Sequence, residues 1–224
     1  FVRGSDHGLA PDNFQIDPRP VVAHRTSPTN IGLQLLATSS AFDLGYLGCL
    51  EFLESLERTF LTLGRLEKME GHFFNWYDTA TLEPLRPRYL STVDSGNLAG
   101  HLLALKQACR ELTDPPSCMP SSASARAGLI DTLNELLGEV RLVEDLTLSS
   151  GTITREHLEK SILACRQLLE AHEISWVELL ARLATQLAEG KDILNALAAE
   201  ELPEKLAEAR IWLAAAQKQV REFQ

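Results

Sequence analysis

Three short stretches of the chain carry polar and aromatic side chains of the types that recognise a hydroxyl-rich ligand. The first, His24-Arg25-Thr26-Ser27-Pro28-Thr29-Asn30, brings an imidazole, a guanidinium, hydroxyls and an amide to the mouth of a helix. These are the donors and acceptors that read sugar hydroxyls. The second, Gly71-His72-Phe73-Phe74-Asn75-Trp76-Tyr77-Asp78, joins an aromatic face to an amide and a carboxylate. A pyranose ring stacks its C–H face on such a platform while the polar groups take its hydroxyls. The third, Ser91-Thr92-Val93-Asp94-Ser95-Gly96-Asn97-Leu98-Ala99-Gly100, places Asp94 and Asn97 at a helix N-terminus among small residues that admit a ligand closely. The candidate substrate-binding residues are therefore His24, Arg25, Thr26, Asn30, Asn75, Trp76, Tyr77, Asp78, Asp94 and Asn97. Asp94 is the one acid among them considered for chemistry, and no metal or cofactor is expected.

Each stretch also has a plain structural reading. Ser27 and Ser95 suit helix N-caps. His72 and His101, next to apolar residues, suit hydrogen-bonded structural histidines, and Trp76 and Tyr77 taken singly suit core positions. Asp94 suits a first-turn acid that favours the helix dipole. Clustering tips the balance towards a ligand, because all three stretches fall within residues 24–100 and residues 121–224 hold nothing like them.

The elements that must position these residues are helical. Ser27 and Pro28, as N-cap and first helical residue, predict a helix over 28–43. Leu50, Leu53, Leu56, Phe60, Leu63 and Leu66 recur at three- and four-residue steps and predict a second helix over 48–69 with one apolar stripe. Residues 71–92 break the helical pattern, and Phe73 to Tyr77 read as a short β-like segment. Ser95 is read as the cap of a third helix over 96–112, with Leu98, Leu102, Leu105, Cys109 and Leu112 on one side. Residues 113–122, with three prolines, read as a linker loop. Helices are then expected at 123–147, 154–172, 175–189 and 203–223, with Ser149-Ser150-Gly151 as a connection. Ser175 and Glu178 form a capping box, and Pro203 suits the first position of the last helix. Adjacent residues of an extended segment point to opposite sides. Tyr77 with Asn75 is therefore expected to face the ligand, with Trp76 and Phe74 packed inward. Residues 1–8 are set aside from this reading.

Composition narrows the function classes. Of 224 residues, 45% are hydrophobic and 23% charged, ordinary values for a packed core. Net charge is −10, and residues 1–112 hold 13 acids against 10 bases. With no basic patch, nucleic acid is not an expected partner. No stretch approaches the roughly 18 apolar residues of a membrane span, so the chain itself is not expected to be membrane-inserted. Cys49, Cys109, Cys118 and Cys165 form no C-x-x-C pair, and Cys49, Cys109 and Cys165, among apolar residues of helical segments, read as reduced core thiols of a cytoplasmic protein.

The blocks from His24 to Leu33, Gly71 to Thr79 and Ser91 to Leu102, preceded by Ala10-Pro11-Asp12-Asn13-Phe14-Gln15, resemble the middle, glucoamylase-like region of cyclic β-1,2-glucan synthases in order and spacing. The resemblance covers residues 10–112; residues 113–224 match in helical character alone. It implies an all-α fold of helical hairpins, part of an (α/α) toroid with its site in the mouth formed by loops at one end. Residues 9–112 would be the glucan-handling part and 123–224 a helical scaffold. The parent enzymes are large inner-membrane proteins that join a glycosyltransferase, this region and a phosphorylase-like part. This places the chain at the cytoplasmic face of that membrane. The middle region is thought to close linear β-1,2-glucan by transglycosylation, a retaining reaction that needs two carboxylates.

The chain is too short for the whole toroid. The resemblance places the catalytic acids in other segments, so the fragment alone is expected to be inactive. Expected partners are a β-glucan oligosaccharide, the remaining domains of the parent enzyme and, through exposed apolar surface, a second copy. A non-catalytic helical module that docks other domains is the alternative reading, and a stand-alone hydrolase is disfavoured by length.

Overall fold

The computed structural model describes residues 2, 4–113, 119–143, 155–171, 174–200 and 203–224. The fold is all-α, with seven helices and three two-stranded antiparallel ladders among the described residues. The helices are α1 (Pro28–Asp43), α2 (Cys49–Arg65), α3 (Thr92–Glu111), α4 (Ser122–Leu142), α5 (Arg155–Glu170), α6 (Trp176–Glu200) and α7 (Ala207–Glu222). The strands are β1 (Phe14–Gln15), β2 (Val21–Val22), β3 (Arg25–Thr26), β4 (Lys68–Met69), β5 (His72–Phe73) and β6 (Tyr77–Asp78), paired β1 with β2, β3 with β6 and β4 with β5.

The chain divides into two compact units, residues 1–42 with 49–118 and residues 43–48 with 119–224. The second is a four-helix arrangement in which α4 packs on α5 and α7, and α6 packs on the same two. Leu129, Leu136, Leu158, Leu179, Leu197 and Leu213 lie in its core. Residues 43–48 insert into this unit. Gly45, at φ +78°, lies so close to the Ser124 carbonyl that a Cβ there would sit 2.2 Å from it. Its own carbonyl accepts from Gln219 Nε2 at 3.2 Å. Tyr46 donates to Asp131 at 2.8 Å.

The first unit carries the three blocks. Its core joins Ile31, Leu35 and Phe42 of α1 to Phe52, Leu56 and Leu63 of α2, Leu98 and Leu105 of α3, and Phe74 and Tyr77. The rings of Phe42 and Phe52 meet at 5.1 Å between centroids. Gly32 of α1 faces His101 of α3, where a Cβ would lie 2.2 Å from Nδ1 and 3.1 Å from Cβ of the imidazole.

Several expected boundaries move. α2 stops at Arg65, not at 69, because residues 68–73 form a tight hairpin. Its turn is made by Glu70 (φ 51°) and Gly71 (φ 85°), left-handed conformations that no helix continues through. The stripe on α2 is split: Leu56, Leu63 and Leu66 are buried, while Leu50, Leu53 and Phe60 are exposed. α3 begins a turn early, capped by Ser91, whose side chain accepts from the Asp94 amide; Ser95 lies inside the helix. α6 continues through Gly190 to Glu200. Ser27 does cap α1, accepting from the Asn30 amide at 3.2 Å, and Ser175 accepts from the Glu178 amide at 3.3 Å. Glu178 itself pairs with Arg182. The readings of 144–147 as helix and of 149–151 as a connection lie outside the described residues, as do residues 114–118 of the 113–122 linker, Cys118 among them.

Setting residues 1–8 aside misjudged them. Asp6 is buried and accepts from Thr79 Oγ1, from Ser5 Oγ at 3.2 Å and from His24 Nδ1 at 2.7 Å. The His7 carbonyl accepts from Thr62, and the Gly8 carbonyl from Gln34. The N-terminal turn is thus part of the first unit. Cys165 is buried, and burial pushes its thiol up to about 12, whereas Cys49 and Cys109 are only half-buried.

Candidate functional site

The three blocks meet. The short β3–β6 ladder pairs Arg25 with Asp78 and Thr26 with Tyr77, which joins the first block to the second. Thr29, in the first turn of α1, donates to Asp94 Oδ1 at 2.6 Å and accepts from Asn97 Nδ2 at 3.1 Å, which joins the first block to the third. Asn75 joins the second to the third. Its neighbours set the amide orientation. Nδ2 donates to Asp94 Oδ2 at 2.6 Å, and Oδ1 accepts from the Trp76 indole and from the Tyr89 hydroxyl, each at 2.6 Å. Both oxygens of Asp94 are therefore committed to side chains fixed by other elements.

A second carboxylate organises the other end of this band. Asp12 Oδ2 accepts from Arg25 Nε at 3.1 Å, from Arg25 through a terminal nitrogen at 2.9 Å and from Asn13 at 2.9 Å. Oδ1 accepts from Asn30 Nδ2 at 3.1 Å. Burial works to raise the Asp12 carboxyl, but the hydrogen bonds from Asn30 and Arg25 and the Arg25 charge outweigh it and hold the group below its ordinary value. Anchored in this way, the Arg25 guanidinium lies 4.9 Å from the centroid of the Trp76 ring, within cation–π range. Thr29 and Asn30, adjacent in the first turn of α1, thus serve one carboxylate each.

Asp12, Thr29 and Tyr89 are the members that residue-by-residue reading missed. Asp12 stood in the quoted stretch before the first block, but only the fold brings it to Arg25 and Asn30, 13 and 18 residues on.

Other expected residues sit elsewhere. Tyr77 does not face a ligand: it is fully buried, its hydroxyl donates to the Glu67 carbonyl and accepts from the Phe74 amide, both at 2.7 Å. Burial foremost pushes its phenol up to about 12. The two-residue alternation fails because β5 ends at Phe73 and β6 begins at Tyr77, so residues 74–76 are irregular, with a bend at Asn75, and not a strand. Phe74 packs inward as expected, Asn75 is buried inside the polar network, and Trp76 is the half-exposed aromatic. Thr26 is fully buried, with an Oγ1 that has no partner among the described residues. His24 turns to Asp6, away from the band. Asp78 spends Oδ1 on the amides of Ala80 and Thr81, at 2.8 Å each, and so shapes a turn.

What remains for a ligand is the surface of Arg25, about half exposed, with exposed Asn97 and half-buried Asn30 and Trp76. Such a surface offers an aromatic ring and directed hydrogen-bonding groups. Among the described residues no group of three or more His, Cys, Asp or Glu side chains is placed to hold a metal ion. No helix among them is long and apolar enough to cross a membrane.

No family model matches the chain. Over 151 residues it is 47% identical to the cyclic beta-(1,2)-glucan synthase NdvB of Rhizobium meliloti (strain 1021), a match that covers 65% of this chain and 5% of that protein. The chain is homologous to a segment of a cyclic β-1,2-glucan synthase. The chain spans about 5% of the length of that synthase, so the activity of the whole does not transfer to it by similarity.

Proposed function

We propose that the band formed by Arg25, Asn30, Trp76 and Asn97 is a β-glucan subsite that helps to position the chain of a cyclic β-1,2-glucan synthase for transglycosylation and ring closure. One observation carries this reading. Trp76 is half-exposed, yet its indole N–H is held by Asn75 and its ring is overlain by Arg25. An aromatic side chain fixed at its polar edge and left partly open is pre-organised for stacking on a sugar ring. Asp94 and Asp12 then act as positioning residues: each anchors side chains of the band and has both oxygens occupied. In this reading the first unit belongs to the (α/α) toroid that the resemblance implies, and the longer protein works at the cytoplasmic face of the inner membrane.

A second reading has its own support. Arg25, Thr29, Asn30, Asn75, Asp94 and Asn97 each find a hydrogen-bond partner inside the band. That self-sufficiency suits a non-catalytic helical module whose polar blocks brace loops for docking other domains.

Titration of linear β-1,2-glucan into the chain, followed by tryptophan fluorescence and calorimetry, separates the two. The subsite reading expects saturable binding that Trp76→Ala weakens by about tenfold, the loss of one stacking platform, with a small change in melting temperature. Undetectable binding by the parent chain, or equal binding by Trp76→Ala, would leave the bracing role alone.

A further inference from the structure

A cleft of about 290 Å³ lies between the N-terminal turn and α2, and none of its lining residues belongs to the band around Trp76. It is lined by Gly4, His7 and Gly8 of the turn and by Arg58, Leu61, Thr62 and Arg65 of α2. Arg58 and Arg65 are seven residues apart, two helical turns, and so lie on one side of α2. Thr62 stands between them, and its hydroxyl donates to the His7 carbonyl at 2.7 Å, which pins the turn to the helix and fixes the cleft wall. The His7 ring is held by its Nε2 contact with the Ala80 carbonyl at 3.0 Å.

The arginines are oriented without being neutralised. Gly8 has φ +76°, and a Cβ there would lie 2.6 Å from Arg58 Cδ and 2.8 Å from Cγ. The Arg58 stem therefore lies flat on the Gly8 backbone, in a course that no larger residue at position 8 would allow. Among the described residues neither guanidinium has an ion pair or hydrogen bond, and no carboxylate lines the cleft. The nearby Asp6 carboxylate is committed to Thr79, His24 and Ser5. A favourable place near a helix C-terminus accounts for Arg65 but not for Arg58, in the body of α2. Two unpaired guanidinium forks at one cleft, in a chain of net charge −10, mark a place where negative charge is wanted. The planar fork matches an oxyanion by paired N–H donors.

We propose that this cleft binds a phosphoryl oxyanion, clamped between Arg58 and Arg65, at a site separate from the glucan band and independent of the glucan reading. The ligand is free phosphate or the phosphate of a monoester; the chemistry recognised is the same.

The test is calorimetric titration of the chain, at low ionic strength, with inorganic phosphate and separately with glycerol phosphate. One phosphate per chain is expected. Arg58→Gln and Arg65→Gln should each weaken it by about tenfold, the loss of a charge-assisted hydrogen-bonding partner, with the melting temperature in the absence of phosphate little changed. Lys106→Gln, which makes the same change of charge on α3, should leave affinity unaltered. Arg58→Lys, which keeps the charge and the stem but not the fork, should fall between the parent and Arg58→Gln. Binding of glycerol phosphate alongside phosphate would extend the ligand class to esters, and its exclusion would narrow the class to the free ion. No heat of binding at millimolar phosphate would overturn the proposal. So would equal loss in Lys106→Gln, or sedimentation showing that the arginines hold a second copy through its acidic side chains.

Discussion

Replacing Tyr77 by Phe removes one oxygen from the centre of the first unit, and the structure sets the size of the effect. That oxygen accepts from the Phe74 amide and donates to the Glu67 carbonyl. Phe74 is buried, so its N–H loses its only described acceptor with no route to water; such an orphaned group costs about 1–3 kcal/mol. Glu67 is an exposed residue, and its carbonyl can turn to solvent at little cost. The ring itself stays, so no cavity term is added. The expected loss is about 2 kcal/mol. That corresponds to a fall in melting temperature of roughly 4–8 °C if all 224 residues melt together, and about twice that if the first unit melts alone. Urea titration and differential scanning calorimetry of parent and variant give the number. Glucan binding by the folded variant should match the parent, since no part of Tyr77 reaches the surface. A Tyr77→Phe chain as stable as the parent would refute the bridging role of the hydroxyl. One that kept its stability and lost glucan binding would return Tyr77 to the ligand face.

Three further outcomes test other links. Burial works to raise the Asp6 carboxyl, but the Thr79 and His24 hydrogen bonds and the His24 charge hold it below its ordinary value. Its stabilisation is therefore complete above the unfolded carboxyl's value of about 4 and is lost as pH falls through the lower folded value. Urea midpoints measured downward from pH 6 should drop in the acid range, and Asp6→Asn should start lower and lose less. Gly32→Ala drives a methyl group into the root of the His101 ring, where the side chain cannot swing clear, and should cost about 1–3 kcal/mol in chemical denaturation. Asp94→Asn leaves one of two donors, Thr29 Oγ1 or Asn75 Nδ2, facing an N–H group. In this partly exposed network it should cost about 1 kcal/mol and loosen the Trp76 indole, readable as a red shift in tryptophan emission.

The sequence by itself determined the number and order of the helices and the three blocks from which the band is drawn, but not which of their residues form it. Three- and four-residue apolar spacing marks a helix wherever it lies, although the fold buries only Leu56, Leu63 and Leu66 of the α2 stripe, and Ser27 caps α1 because the cap geometry is local. Clustering of polar and aromatic residues in three blocks was legible for the same reason, since it needs no knowledge of neighbours. The tertiary structure alone decided which atoms of those blocks face one another. Strand alternation assigned Tyr77 outward and Trp76 inward, but the chain bends at Asn75 to let its side chain reach Asp94, and that bend exchanges the two aromatic positions. Residue type marks Ser95 as the cap of α3, but the folded chain starts that helix at Thr92, and Ser91 caps it. Asp12 and Asp6 look like loop acids in one dimension and become the anchors of Arg25 and His24 only through pairings 13 and 18 residues long. A hydrogen bond between distant residues is a property of the folded path, which residue types and their periodicity do not encode locally.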